Sequence, residues 1–284
     1  MPLKIERKPI TARRVMLFLA ILVLIPVIGF MLVLASQQTR LILPARVNNA
    51  EPPPASLNAQ YLSLPTPSGA TLQGVLFPAK TASPTLILAF PGNTHNAVGF
   101  ATFLKESVFP DDDIAVAAFS YRGYPNGVTP PSTGTPSQAG LYADSLLVYD
   151  VLTTRLQPKS VKVAAYSIGT AVATHLALNR PVAKMLLAAP IASVRRIAQE
   201  RYPWVPVRLL LRHPFATEDV IANLTTSTTI VYSPTDGLVP RHHVENILHT
   251  ANPSIPLIAV PGTNHVTLIL HPETPTLIRK ALID

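Results

Sequence analysis

The sequence contains no cysteine, and this absence excludes several kinds of site at once. A chain without thiols forms no disulfide, has no thiolate nucleophile and offers no zinc–thiolate site. Two other signatures are also missing: the G-x-G-x-x-G loop that binds dinucleotides, and the H-x-x-H or E-x-x-H spacing of helical metal ligands. We therefore expect neither a cofactor nor a metal ion.

Charged residues are scarce, at 13% of the 284, although the formal net charge is +8. Half of that excess lies in residues 1–14, where five basic side chains accompany one glutamate. The rest of the chain carries 18 basic and 14 acidic residues, without a basic stripe interleaved with aromatics. The charge therefore does not predict binding to nucleic acid.

Residues Val15 to Ala35 form a run of 21 without a charged or strongly polar side chain. At about 1.5 Å per residue the run spans roughly 30 Å, the hydrocarbon thickness of a bilayer, and predicts a transmembrane helix. A buried core helix would be interrupted by polar residues. A cleaved signal peptide is the stronger alternative: its apolar region is usually about 7–15 residues long, but Val33-Leu34-Ala35 fits a cleavage site.

Basic residues flank this run unequally, with five before it and only Arg40 and Arg46 shortly after it. Because the more basic flank stays in the cytoplasm, residues 1–14 are predicted to be a cytoplasmic tail. The domain that follows the run then lies on the non-cytoplasmic side, which is the periplasm in a bacterium. Residues 36–59 contain Pro52-Pro53-Pro54 and predict an extended, proline-rich stem, and residues 60–284 predict one domain.

From residue 60 onward, alternating and apolar runs predict an edge hairpin followed by strands that alternate with helices. The hairpin covers 61–64 and 71–77; the later strands are expected at 85–90, 114–119, 161–166, 184–189, 228–231 and 256–260, and the helices at about 97–108, 137–156, 168–178, 241–250 and 273–282. Apolar strands with helical crossovers indicate an α/β fold with a mostly parallel sheet covered on both faces. Catalytic groups are then expected at the carboxyl ends of the strands.

Ser167 ends one of these strands, in the run Tyr166-Ser167-Ile168-Gly169. A serine at a sharp strand-to-helix corner between small residues is typical of the nucleophile elbow G-x-S-x-G, here with Ala165 in place of the first glycine. The simpler interpretation of Ser167 is a helix N-cap, which would occupy the same position.

Asp236 and His265 follow in turns after later strands, in Pro234-Thr235-Asp236-Gly237 and Gly262-Thr263-Asn264-His265. In a serine hydrolase the histidine takes the proton of the nucleophile, and the acid holds the imidazole in the productive tautomer. The order serine, acid, histidine along the chain is that of α/β-hydrolases. Glu218 or Asp219 could supply the acid instead.

Four segments carry a resemblance to a known family: 90–96 (FPGNTHN), 120–124 (SYRGY), the corner at Ser167, and 202–212 (YPWVPVRLLLR). Together with Asp236 and His265 they resemble the α/β-hydrolases, in particular the small-lidded, membrane-anchored Bem46 and ABHD13/ABHD17 proteins. Two positions depart from that pattern, namely Ala165 and Pro91, which stands where related proteins often have histidine. Neither departure removes a reacting group.

The resemblance implies an oxyanion hole made by two backbone N–H groups, those of Asn93 and Ile168. The segment Tyr202–Leu211 takes the place of a large lid. It is predicted either to wall an acyl pocket, with Trp204 and Tyr166 as candidate pocket residues, or to dock on the bilayer, or simply to pack as a surface helix.

The expected function is that of a serine hydrolase, anchored at the membrane, that cleaves carboxylic esters or thioesters. The resemblance implies lipids or acylated proteins as substrates and the lipid bilayer as the partner surface, with no nucleic acid. Two alternatives stay open: a serine peptidase with the same three residues, and an inactive hydrolase fold that serves as a binding module.

Overall fold

The computed structural model describes residues 11–46, 50–251 and 255–284. Within these ranges the strands are β1 Gln60–Pro65, β2 Thr71–Phe77, β3 Thr85–Phe90, β4 Ile114–Phe119, β5 Ser160–Tyr166, β6 Lys184–Ala188, β7 Ser227–Tyr232 and β8 Leu257–Ala259. The helices are α1 Ala12–Ile42, α2 Ala97–Phe103, α3 Gln138–Leu156, α4 Gly169–Asn179, α5 Val194–Arg201, α6 Val207–Leu210, α7 Arg241–Thr250 and α8 Thr274–Ile283. A π-helical turn, Leu104–Val108, continues α2.

The eight strands form one sheet in the order β1-β2-β4-β3-β5-β6-β7-β8. The first two neighbouring pairs, β1 with β2 and β2 with β4, are antiparallel, and the other five are parallel. This arrangement confirms the predicted mostly parallel sheet with an antiparallel hairpin at its edge. Parallel strands bring their carboxyl ends to one side of the sheet, and this side carries the site described below.

Successive side chains of the central strands enter two separate cores. In β3, Leu86, Leu88 and Phe90 pack on the side of α3, α4 and α7, whereas Ile87 and Ala89 pack on the side of α2 and α8. Because both faces of these strands are covered by helices, the strands need apolar residues throughout rather than at every second position. This is why their sequences are continuous apolar runs, and it confirms the expected helices on both faces.

Two helices after β6 differ from the sequence-based expectation. Residues 194–201 form α5, which carries four charged side chains and shows no long apolar run. Residues 207–210 form α6, a single turn that begins directly after Pro206. Both helices are short, so each offers too few apolar positions to predict a helix: the pattern does not predict α5, although Val194, Ile197 and Ala198 lie on one face of it, and leaves α6 as one of three alternatives.

Helix α1 extends beyond the predicted membrane span. It ends at Ile42, seven residues after Ala35, so the first part of the predicted extended stem is helical instead. The helix ends where Pro44 disfavours a helical conformation for the residue before it, and the side chain of Leu43 is buried in the core. The domain formed around the sheet is therefore packed against the end of α1 rather than held away from it. Residues 1–10 of the predicted tail lie outside the described residues.

Within the described residues, α1 is the helix that is long and apolar enough to cross a membrane. None of its most apolar stretch of 18 residues is buried against the domain. A core helix of a soluble protein would be largely buried, so the core-helix alternative for this segment does not fit.

An ion pair joins the loop after β4 to helix α3. The guanidinium of Arg122 donates two hydrogen bonds of 2.6 Å to the carboxylate of Asp144, and both side chains are largely buried. Arg122 belongs to the segment 120–124, which is one of the four segments that resemble the α/β-hydrolases. Its bidentate bond fixes that segment to α3.

Replacing Asp144 with alanine is expected to lower the free energy of unfolding by roughly 3 kcal/mol, because Arg122 would keep its charge without its principal partner. The matched control is Glu245→Ala, which breaks the exposed pair between Arg241 and Glu245 and is expected to cost well under about 1 kcal/mol. Urea unfolding of the detergent-solubilised chain measures both changes. Equal effects of the two substitutions would contradict a structural role of the Arg122 pair.

Candidate active site

Ser167 occupies a tight corner between β5 and α4. Its φ of +53° lies in the left-handed region, which is uncommon for a residue with a side chain. The backbone N–H of Ser167 donates to the carbonyl of Ala188 at 2.9 Å, and its carbonyl accepts from the N–H of Thr170 at 2.9 Å. These bonds hold the strained conformation at the carboxyl end of the sheet, where the predicted elbow requires it.

Small residues on both sides of Ser167 make the corner possible. A Cβ on Gly169 would lie 2.6 Å from the carbonyl oxygen of Pro91 and would also overlap that of Phe90. Ala165 is fully buried in β5, where its methyl group packs in the core beside α4. The first small position of the elbow therefore tolerates a methyl group, whereas the second does not.

The structure brings the three predicted reacting residues together. The Nε2 atom of His265 lies 2.9 Å from the Oγ of Ser167, and its Nδ1 lies 2.7 Å from Oδ2 of Asp236. The carboxylate of Asp236 is almost fully buried, and its Oδ1 accepts from the backbone N–H groups of Leu238 and Val239. These bonds fix the carboxylate so that it can accept from Nδ1–H, which leaves Nε2 free to accept the serine proton.

The alternative acids lie elsewhere. The carboxylate of Glu218 accepts from the hydroxyl of Ser193 and from the guanidinium of Arg196. Asp219 is half exposed and pairs with Arg195. Both carboxylates connect α5 to the short helical turn at Thr217–Asp219. Asp236 is the carboxylate that contacts His265.

The loop after β3 approaches Ser167 closely. A Cβ built on Gly92 would lie 3.3 Å from the Cβ of Ser167. Asn93, the predicted oxyanion residue, follows directly, and its side-chain amide donates to the carbonyl of Ile42 at 2.9 Å. Ile168, the other predicted donor, is buried immediately before the first residue of α4. The loop after β3 and the start of α4 therefore lie next to each other, and both are beside Ser167.

The two residues predicted to line the substrate pocket, Tyr166 and Trp204, contact the loop of His265 and helix α1, respectively. Tyr166 is fully buried, and its hydroxyl donates to the backbone carbonyl of His265. The ring of Tyr166 lies on the face of the sheet that is covered by α2 and α8. Its hydroxyl contacts the loop that carries His265 and so stabilises the position of that loop. Trp204 is 53% exposed and lies against Phe30 of α1, with ring centroids 5.5 Å apart. The structure thus places Trp204 beside the apolar helix.

His95 lies next to the site, although no pattern in the sequence predicts this position. Its ring packs edge-on against Tyr166 with centroids 4.7 Å apart, and its Nδ1 is buried without a hydrogen-bond partner among the described residues. Burial lowers the pKa of His95, and the nearby His265 lowers it further. His95 is therefore neutral at pH 7. The fold brings it to the site from a position about 170 residues before His265, so only tertiary contacts identify it.

A pocket of about 590 Å³ opens beside the loop that carries His265. Its walls come from α2 and from the loop before α8, and they include Arg46, His95, Phe100, Phe103, Val266 and Leu270. The pocket is mostly apolar with a few polar groups at one side, which is the usual character of a site for a small organic ligand.

One cluster of potential metal ligands occurs among the described residues, and it lies outside the Ser167 constellation. The carboxylate of Glu200 contacts Nε2 of His242 at 3.0 Å and Nε2 of His243 at 3.1 Å. Burial is the main cause that lowers the pKa of His243. Glu200 lies in the last turn of α5 and the two histidines lie in the first turn of α7, so no spacing in the sequence could have revealed the cluster. The contacts join α5 to α7.

Gly169→Ala is expected to slow the reaction of Ser167 with a fluorophosphonate probe by roughly a hundredfold, because the new methyl group must push the carbonyl groups of Phe90 and Pro91 away from the corner. Gly237→Ala is the control: nothing lies within 4 Å of a Cβ at that position, although it adjoins Asp236. The rate of covalent labelling measures both. If Gly169→Ala labelled as fast as the unchanged protein, the corner would not depend on the close approach.

Comparisons with known proteins agree with this fold. No protein-family model matches the chain. The chain is 31% identical over 154 residues to an uncharacterised protein of Mycobacterium tuberculosis, covering 54% of this chain and 53% of that protein. It is 25% identical over 236 residues to the lysophosphatidylserine lipase ABHD12 of Bos taurus, covering 72% and 57% of the two chains. The chain thus spans about half the length of these curated relatives.

Two further similarities extend over more of the partner chains. The uncharacterised protein YfhR of Escherichia coli is 26% identical over 223 residues, which covers 75% of each chain. An esterase of Pyrococcus furiosus has a similar structure with a TM-score of 0.64 at 16% identity, covering 83% of this chain and 96% of the esterase. The sheet order, the corner at Ser167 and these similarities confirm the predicted resemblance to the α/β-hydrolases in general: the chain has the α/β-hydrolase fold.

Proposed function

We propose that the protein is a serine hydrolase that cleaves carboxylic esters or thioesters and is anchored to a membrane by α1. The observation that carries the proposal is the continuous set of contacts from Asp236 through His265 to Ser167, built on a strained strand-to-helix corner. The lipase and esterase names of the relatives support this reaction class and suggest lipid esters as substrates.

In this mechanism the Oγ of Ser167 attacks the carbonyl carbon of the ester while Nε2 of His265 takes its proton. The negative charge that forms on the carbonyl oxygen faces the backbone N–H groups of Asn93 and Ile168. The tetrahedral intermediate expels the alcohol or thiol, which receives the proton from His265, and an acyl group remains on Ser167. Water, activated by the same imidazole, then releases the acid. Asp236 accepts the hydrogen bond from Nδ1–H and stabilises the imidazolium in both steps.

A membrane anchor is supported by the way α1 meets the domain. The exposed apolar stretch of α1 passes into a final segment whose polar groups bond to the domain: Gln38 donates to the carbonyl of Leu210 at 3.0 Å and accepts from the N–H of Arg212 at 2.6 Å. Phe30, inside the apolar stretch, contacts Tyr202 and Trp204. Cleavage of a signal peptide after Ala35 would discard Phe30 and expose these aromatic rings, so the packing favours a retained helix.

Ser167→Ala is expected to abolish esterase activity and fluorophosphonate labelling while the fold survives, because alanine fits the corner. His265→Ala should have the same effect, and the double variant should be hardly slower, since the two residues act as one unit. Asp236→Asn is expected to be severe but milder, whereas Asp219→Asn, the control carboxylate, should leave the rate unchanged. Hydrolysis of a series of nitrophenyl esters measures these rates.

Three outcomes would contradict the assignment: activity of Ser167→Ala within about tenfold of the unchanged protein, damage by Asp219→Asn but not by Asp236→Asn, or hydrolysis of peptides in preference to esters. The last would indicate a peptidase with the same residues. A protein that is folded, unlabelled and inactive on both substrate types would indicate the inactive binding module.

The excess of basic residues before the apolar run predicts a catalytic domain outside the cytoplasm. A reporter enzyme that works only outside the cytoplasm is expected to be active when fused after Asp284, and a cytoplasm-specific reporter is expected to be inactive there. N-terminal sequencing of the purified protein is the control for processing. A mature terminus at Ser36 would mean a cleaved signal and would overturn the anchor.

A further inference from the structure

A second cavity lies between the end of α1 and the segment that runs from α5 to α6. Its volume is about 420 Å³, within the range of about 300–1,000 Å³ that is typical of ligand sites. One wall is the last two turns of α1, including Leu34, Ala35 and Ile42, and the opposite wall includes Ile197 and Ala198 of α5. The anchor helix is thus part of the cavity itself.

The cavity offers a ligand almost no polar group. Gln38 is the one polar residue that α1 contributes to the wall, and its amide is already bonded to the carbonyls of Ala35 and Leu210 and to the N–H of Arg212. Arg201 is the one charged residue among the lining residues, and it is exposed. An apolar ligand without hydrogen-bonding groups fits these walls, because it would leave no buried polar group unpaired.

The position of the cavity along α1 identifies the source of such a ligand. Phe30, which contacts Trp204, lies about 8 Å along the helix axis before Ala35, inside the apolar run that matches the bilayer. Beyond Trp204, the side chain of Leu209 is 84% exposed. Aromatic side chains such as Tyr202 and Trp204 favour the boundary between headgroups and hydrocarbon. The α5–α6 side of the cavity therefore meets the membrane at the boundary between headgroups and hydrocarbon, where the acyl chains begin.

A chain of contacts connects one wall of the cavity to the candidate active site. Ile42, in the cavity wall, accepts a hydrogen bond from the side chain of Asn93, and the neighbouring Gly92 is in close contact with Ser167. Two successive contacts therefore connect the wall formed by α1 to the nucleophile. A chain that enters from the membrane and extends along α1 would approach the loop that follows β3.

We propose that this cavity is the binding site for the acyl chain of a bilayer lipid, which enters sideways from the membrane between α1 and the α5–α6 segment. The inference rests on the proposed hydrolase function for the fate of the lipid, but binding itself does not require the reaction. It explains why a domain with its own sheet core is packed on its membrane helix: the helix completes the site for the substrate.

The test uses the full chain in phosphatidylcholine vesicles that contain a trace of a lysophospholipid with a photoreactive diazirine in its acyl chain. After irradiation, mass spectrometry is expected to find adducts on residues 34–42 and on α5, equally in the unchanged protein and in Ser167→Ala. Ala198→Trp and Leu34→Trp, which fill the cavity from opposite walls, should each reduce these adducts at least tenfold. Val151→Trp, on the exposed face of α3, is the control and should leave them unchanged.

Hydrolysis of an ester series from two to sixteen carbons provides an independent measurement. For the unchanged protein, kcat/KM is expected to rise by up to about fourfold per methylene until the cavity is filled, as each added group is removed from water. Ala198→Trp and Leu34→Trp should flatten that rise, and Val151→Trp should not. A thermal unfolding scan identifies any variant that fails to fold. If either Ala198→Trp or Leu34→Trp fails, the remaining one of the two tests whether the cavity binds the acyl chain.

Adducts that survive both tryptophan substitutions, or adducts confined to other surfaces, would overturn the cavity as a lipid site. If esters are hydrolysed without any dependence on chain length and without adducts at the cavity, the hydrolase proposal stands and this inference fails. If the adducts form as expected but neither hydrolysis nor fluorophosphonate labelling occurs, the lipid site stands and the hydrolase proposal fails.

Discussion

The backbone of Ser167 is the constraint on which the site depends. A residue with a side chain occupies the left-handed region only where its surroundings enforce it, and here the end of β5, the start of α4 and the bond to Ala188 do so. The conformation brings Ser167 against the loop after β3, and the absence of a side chain at Gly169 lets that loop come close. The parallel sheet brings Asp236 and His265 to the same place, because the loops after β7 and β8 begin at the same edge of the sheet as the loop after β5.

Around this corner, the candidate site is stabilised by groups that do not react. Two backbone N–H groups fix the carboxylate of Asp236. The hydroxyl of Tyr166 donates to the carbonyl of His265 and stabilises the loop that carries this histidine. His95 packs on the same tyrosine and is kept neutral by burial and by its histidine neighbour, so it adds no positive charge beside the imidazole. Buried, fixed polar groups of this kind suit a site that must stabilise charge without rearranging.

Helix α1 combines two roles that are usually separate. Its apolar stretch is exposed as a membrane helix would be, while its last turns are bonded to the domain through Gln38, Thr39 and Ile42. The predicted stem would have let the domain move freely relative to the membrane. In the proposed membrane-anchored protein, the packed arrangement would instead hold the domain at one depth, with the exposed side chains of Trp204 and Leu209 near the helix. This arrangement would suit the proposed hydrolysis of lipid esters, since such a substrate lies in the membrane that α1 is proposed to span.

The sequence alone determined the α/β architecture, most strand and helix positions, and the residues Ser167, Asp236 and His265. It could do so because continuous apolar runs mark buried parallel strands, and because turn residues directly after such strands must meet at one edge of the sheet. It could not assign the surroundings of Tyr166 and Trp204, the approach of His95, the contacts of Glu200 with two histidines, or the helical end of α1. Those features depend on contacts between residues far apart in the chain, and only the packing of the elements brings such residues together.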